Sequence, residues 1–172
     1  MTTDPARPAV RATVDVDVIV EVASRAGYYA LAEDLRRAGF AEDPESSVLC
    51  RWRLGILKLD VVPTDATILG FSSTWLQPAV DAAQHIMLPS ERTIRVVTAP
   101  YLLATKLEAF YDRGNGDFLV SHDIEDIINL VDSRVELLAE VATSTPELRA
   151  YLREEFEALL ADEGLHKLCQ GV

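Results

Sequence analysis

The stretch 13-TVDVDVIVEV-22 constrains this chain more than any other. Valine holds every even position from Val14 to Val22, and the odd positions read Thr13, Asp15, Asp17, Ile19 and Glu21. Successive side chains on a strand point to opposite faces. The segment therefore predicts a strand with one valine face and one acidic face. A sheet that is wet on one side gives alternation of this kind, but two details set this strand apart. Aspartate is depleted in strands, and like charges at neighbouring same-face positions repel. Ile19 also shares the acidic face, so that face is not simply solvated.

A third carboxylate stands at Asp60, inside the apolar run 56-ILKLDVV-62 and just before Pro63. A charge there either lies at the surface near a strand end or needs a partner or a metal, because burying it unpaired is expensive. Two carboxylates from one strand and a third from its neighbour are the donors that Mg2+ takes, together with substrate phosphates. Two such ions about 4 Å apart can activate an attacking oxygen and stabilise a leaving pyrophosphate. Asp15, Asp17 and Asp60 are accordingly the candidate metal and catalytic residues.

The rest of the chain supplies a frame for them. Residues 24-SRAGYYALAEDLRRAGF-40 carry Tyr28, Leu31, Leu35 and Ala38 at helical spacing, with Ser24 as N-cap and Gly39 as the closing glycine. Residues 48–54 and 56–63 read as two strands, and a single glycine between them is too short for an ordinary hairpin, so Gly55 is expected to mark a bulge or bend. Residues 64–78 read as an irregular connection, 79–89 as a short helix and 93–98 as a strand. Helices follow at 101–113, at 122–132 behind Ser121, at about 134–142, and from the Thr145-Pro146 start to about Gly164. The last of these places Leu148, Tyr151, Leu152, Phe156, Leu159 and Leu160 on an apolar stripe that docks on the domain or pairs with another chain. A strand-rich first half and a helical second half make an α+β domain. The expected division is a loose leader at 1–10, an α/β core at 11–98 and a helical region at 99–172 packed on that core.

Composition excludes several functions. With 16 Lys+Arg against 28 Asp+Glu the net charge is −12, which disfavours non-specific attraction to nucleic acid or anionic membrane. Cys50 and Cys169 are too few and too far apart for a disulfide framework or a zinc site. No apolar run nears the ~20 residues of a membrane helix, and MTTDPARPAV lacks the layout of a signal peptide. The expectation is a cytoplasmic protein. His85, His122 and His166 have no metal-ligand spacing, Ser72-Ser73 lies in no nucleophile elbow, and Gly114-Asn115-Gly116 follows a helix where a phosphate loop would open one. Arg51 and Arg53 share one strand face with Trp52 on the other. That arrangement is an ordinary solvent face or a phosphate or RNA contact.

The order Arg11, Thr13, Asp15, Asp17, then a strand Asp60, resembles the nucleotidyltransferase fold of the polymerase-β type. The block 104-ATKLEAFYDRGNGDFLVSHDIEDIINLV-131 narrows the likeness to the AbiEii-like abortive-infection toxins, through a helical Lys106, a later Arg113, and Asp123 and Asp126 opening the next helix. The likeness covers about residues 11–131. It implies a small mixed nucleotidyltransferase-type sheet with flanking helices. It further implies an enzyme that uses Mg2+ or Mn2+ to move a nucleoside monophosphate from an NTP to a hydroxyl of RNA, a protein or a small molecule. In this group the acceptor is thought to be tRNA or a similar target, held in check by a partner antitoxin. Carried over, Asp15 and Asp17 would hold metal and phosphates, and Asp60 would activate the acceptor. Lys106 would meet the triphosphate, and Asp123 would orient Lys106 or Arg113. Arg11 and Thr13 would position the strand or a phosphate. The family also sets a Gly-Gly or Gly-Ser turn roughly ten residues before Asp-x-Asp to hold the triphosphate. No glycine precedes Gly27. The expectation is that the turn lies upstream of Met1, or that the chain is a catalytically impaired relative serving in binding or regulation.

Overall fold

The computed structural model describes residues 15–22, 24–46, 50–69, 73–113, 118, 121–162 and 165. They fall into two compact units, one within Ala9–Val80 and the other within Asp81–Val172.

The first unit holds β1 (Asp15–Val20), α1 (Arg25–Arg37), β2 (Ala41–Glu42), β3 (Arg51–Leu54), β4 (Leu57–Pro63) and the short helices α2 (Ala66–Leu69) and α3 (Leu76–Asp81). The four strands make one mixed sheet in the order β1-β4-β3-β2, with β1 parallel to β4 and the other pairs antiparallel. A parallel pair needs a crossover connection, and α1 lies in it. Ser24 caps α1 by accepting from the Gly27 amide at 3.2 Å. The helix ends in a Schellman motif: Gly39, at φ +94°, donates to Arg36 and Phe40 donates to Leu35. Its inner face supplies Ala32, Tyr28, Leu31 and Leu35 to a core with Trp52, Leu59, Val61 and Val20. The valine face of β1 thus enters the core only at its far end, and Val16 and Val18 are exposed.

The join between β3 and β4 differs from expectation. Leu54 pairs with Leu57, so Gly55 and Ile56 form a two-residue hairpin loop. Gly55 has φ +62° and Ile56 does not share the positive φ, the signature of a type II′ turn with glycine first. Ile56 is a turn residue that points outward, and the strand begins one residue later.

The second unit holds β5 (Gln84–Met87), β6 (Thr93–Val96), α4 (Ala99–Arg113), α5 (His122–Ser133), α6 (Leu137–Ala142) and α7 (Pro146–Ala161). β5 corrects the expected helix over 79–89. Helix ends at Asp81, and residues 84–87 pair antiparallel with β6. The turn between them is closed by the Leu88 amide donating to Arg92 at 2.8 Å, with Glu91 at φ +63°. Helix also occurs at α2 and at the start of α3, within the stretch expected to be irregular. α4 is the hub, touching α5, α6 and α7. Leu103, Ala104, Leu107 and Phe110 of α4 are buried with Ile124, Ile127, Leu137, Leu148, Leu152 and Leu159, each large side chain gaining about 1.5–3 kcal/mol by leaving water. α7 docks on α4, but Leu160 turns outward at 65% exposure. Ser121 and Thr145 cap α5 and α7 through the amides of Ile124 and Leu148. Among the described residues no helix is long and apolar enough to cross a membrane. The fold is α+β: a mixed sheet with flanking helices, followed by a helical half.

Candidate functional site

The pairing of β1 with β4 fixes the acidic face. In register, Asp15 stands opposite Lys58 and Asp17 opposite Asp60. From the other side of β4, Arg51 stands opposite Asp60 and Arg53 opposite Lys58. Register partners share a face, so two rows run across the sheet: Asp17–Asp60–Arg51 and Asp15–Lys58–Arg53. The three expected carboxylates do lie at neighbouring positions on one face. Three cationic side chains lie there with them.

Asp60 is buried, at 8% exposure. Its two oxygens are gripped by a planar fork: Arg51 Nε donates to Oδ1 at 2.8 Å and Nη2 to Oδ2 at 2.7 Å. The same guanidinium reaches Asp15 at 3.7 Å, and Lys58 reaches the other Asp15 oxygen at 3.8 Å. Hydrogen bonding to Asp60 drives the Arg51 pKa further above its usual range; burial opposes this, and the charges of Asp60, Asp15 and Asp17 add to it. Arg51 is therefore no solvated arginine on a wet face. Arg53 is exposed and lies 3.9 Å from Asp43. This arrangement explains how the strand tolerates its aspartates. The repulsion between Asp15 and Asp17 is balanced by cations from β3 and β4.

The arrangement does not fit a divalent cation. Magnesium needs oxygen ligands at near-octahedral positions, and both Asp60 oxygens already accept from Arg51. Among the described residues, no group of three or more His, Cys, Asp or Glu is disposed to hold a metal.

In the second unit, Lys106 of α4 meets the first turns of α5. Its Nζ lies 3.2 Å from Asp123 and 2.8 Å from Asp126. The Lys106 and Asp123 side chains are 20% and 18% exposed, while Asp126 is 55% exposed. Asp123 and Asp126 are three apart on a helix and so share a side. Asp123 also lies in the first turn, where the helix dipole favours a carboxylate. The expected Lys106–Asp123 neighbourhood is thus one charge-paired cluster. Thr13 and Arg11 lie outside the described residues, and Arg113 closes α4 with its side chain outside them.

No protein-family model matches the chain, and no curated protein matches it. The residues themselves must carry the functional reading.

Sequence reasoning missed Arg51 as the partner of Asp60. The signal was present in the hairpin arithmetic. A two-residue loop at Gly55-Ile56 pairs 54 with 57 and hence 51 with 60. Reading Gly55 as a bulge or bend, and not as a hairpin loop, hid that register. Reasoning also passed over the groove of Glu108, Tyr111, Asp112, Tyr151, Glu155 and Ala158, formed by α4 and α7. There burial, with lesser contributions from Glu154 and Glu108, pushes the Glu155 carboxyl up against an opposing hydrogen bond with Tyr111.

Proposed function

We propose that this chain is a nucleotidyltransferase of the AbiEii-like type. It would move a nucleoside monophosphate from an NTP to a hydroxyl of RNA, a protein or a small molecule, as the toxin of a toxin–antitoxin pair. The observation that carries the reading is the register of Asp17 with Asp60, with Asp15 two residues earlier on the same strand. Three carboxylates at adjacent positions of a parallel strand pair match the placement the resemblance implies, with Arg51 holding both oxygens of Asp60. Within the second unit, taken by itself, the Lys106, Asp123 and Asp126 of the resemblance form one ion-paired cluster. A lysine held between two carboxylates is a positioned ammonium suited to a phosphate as a point charge. In the transfer, the acceptor oxygen bonds the α-phosphorus, the bond to the β-phosphate oxygen breaks, and pyrophosphate leaves. The net charge of −12 disfavours a long RNA held by its backbone and favours a short or local contact.

A second reading has its own support. Arg51 saturating Asp60 favours an impaired relative that binds a nucleotide or a protein partner without turnover.

The test is transfer of α-labelled ATP, GTP, CTP or UTP, with Mg2+ or Mn2+, to total RNA, to protein and to the chain itself. The enzyme reading expects label from one NTP, lost by about 100-fold or more in Asp17→Asn and in Lys106→Ala, since preorganised charge is worth that much in a transfer step. No label with any NTP, alongside a nucleotide-dependent rise in Tm, would leave the binding reading standing alone.

A further inference from the structure

The first unit holds a cavity on the other side of its sheet. It measures about 230 Å3 and is lined, among the described residues, by Arg25, Tyr28, Tyr29 and Ile68. Arg25 opens α1, the helix after β1, and Ile68 belongs to α2, the helix after β4. The cavity therefore lies where the parallel pair β1–β4 hands over to its helices, beyond the carboxyl ends of the strands, where open α/β sheets receive their ligands. Tyr28 and Val20 pack on the same core as Val61. That places the cavity on the valine side of β1, away from Asp15 and Asp17.

Its chemistry is set by an anchored cation and two rings. Arg25 donates from both Nε and Nη2 to the Thr67 carbonyl, at 3.3 and 3.0 Å. A guanidinium has five N–H donors in a rigid plane. The carbonyl takes the Nε–Nη2 edge, which leaves the Nη1–Nη2 edge, whose spacing matches the two oxygens of a carboxylate. Thr67 thus orients the group without neutralising it, and the first turn of α1 holds no acid. Tyr28 and Tyr29 follow Arg25 by three and four positions, so all three lie on one side of the helix. Tyr28 is half-buried and Tyr29 is 66% exposed, an inner wall and a rim. The volume falls below the ~300–1,000 Å3 of drug-sized pockets and suits a single ring.

We infer that this cavity binds a small aromatic carboxylate, with its ring among Tyr28, Tyr29 and Ile68 and its carboxylate on the second edge of Arg25. The ring gains offset contact with the tyrosines, and the planar two-oxygen group matches the guanidinium better than a rounder anion does. The site is separate from the carboxylate face and does not rest on the transferase reading.

The test is titration of the full chain with benzoate, followed by backbone amide chemical shifts. Acetate supplies the charge alone and benzyl alcohol the ring alone. Benzoate should move the amides of residues 25–29 and 67–68. Acetate and benzyl alcohol should each bind about tenfold or more weakly than benzoate, because one lacks the buried ring and the other the charged hydrogen bonds. Arg25→Gln should weaken benzoate by about tenfold or more, and Tyr29→Ala should weaken it as well. Should Arg25→Gln not fold, Arg25→Lys decides, because it keeps the charge and loses the planar edge; weaker benzoate binding supports the site, and unchanged binding sinks it. No movement of these amides up to about 10 mM benzoate overturns the inference. Equal binding of acetate and benzoate also overturns it, since the ring would then have no pocket, as does benzoate binding that survives Arg25→Gln unchanged.

Discussion

Asp60 and Arg51 form a pair whose two halves have very different consequences when removed. Arg51→Ala leaves a buried carboxylate without its fork, and should cost about 3–5 kcal/mol. Arg51→Ala with Asp60→Ala removes the orphaned charge as well, so the double variant should be more stable than Arg51→Ala alone. Urea unfolding of the three proteins measures this, and a double variant no more stable than the single one would contradict the buried-charge account. Glu155 poses the opposite case. Its pKa is raised, chiefly by burial in the groove with Tyr111 and Tyr151. A carboxyl raised in the folded state favours folding below its unfolded pKa of about 4.3, and that contribution is lost as pH rises through the folded value. Glu155→Gln should therefore raise Tm at neutral pH, and the gain should close as pH falls towards about 4. A gain that persists unchanged into acid would mean that ionisation of Glu155 is not its origin.

The elements divide by how local their causes are. The caps at Ser24, Ser121 and Thr145, and the glycine closing α1, were legible because each cap is satisfied within three residues and the closing motif within five. The strand residues 84–87 were not, because His85, Ile86 and Met87 pair only with Arg95, Ile94 and Thr93. A short apolar run suits helix and strand alike until its partner is known. The β3–β4 hairpin shows how one such error spreads. Treating Gly55 as a bulge or bend, with no hairpin, left Arg51 without a register, and so the partner of Asp60 stayed hidden while the carboxylates were all in view. The turn itself is testable. Nothing lies within 4 Å of a Cβ built at Gly55, so only its φ of +62° resists substitution. Gly55→Ala should cost about 1 kcal/mol, the usual penalty for a side chain in the left-handed region, and Gly55→Asn less. Denaturant midpoints at unchanged slope would report it, and a neutral Gly55→Ala would argue against the type II′ turn.

Across the whole molecule, charge acts over distances that no single pair controls. The chain carries 28 acidic against 16 basic side chains, a net charge of −12. Such an excess opposes the compact state through self-repulsion. The local ion pairs act the other way. Arg36 with Glu33 and Glu42, and Arg37 with Asp34, all have side chains at least 45% exposed, where a pair is worth about 0–1 kcal/mol and is itself weakened by salt. At ~0.01 M salt the screening length is about 30 Å, so acids well beyond contact repel one another; at ~0.15 M it is about 8 Å, and mainly neighbours interact. Salt removes the long-range repulsion while taking only part of the short-range attraction. The buried Arg51–Asp60 fork is screened least of all, since both side chains are under 20% exposed. Adding NaCl from ~0.01 to ~0.15 M should therefore raise Tm. Arg51→Gln carries one more net negative charge and no fork, so it should gain more from the same salt. A Tm that falls with salt would mean that the surface pairs outweigh the excess of acids, and that the −12 is locally balanced everywhere as it is on the β1–β4–β3 face.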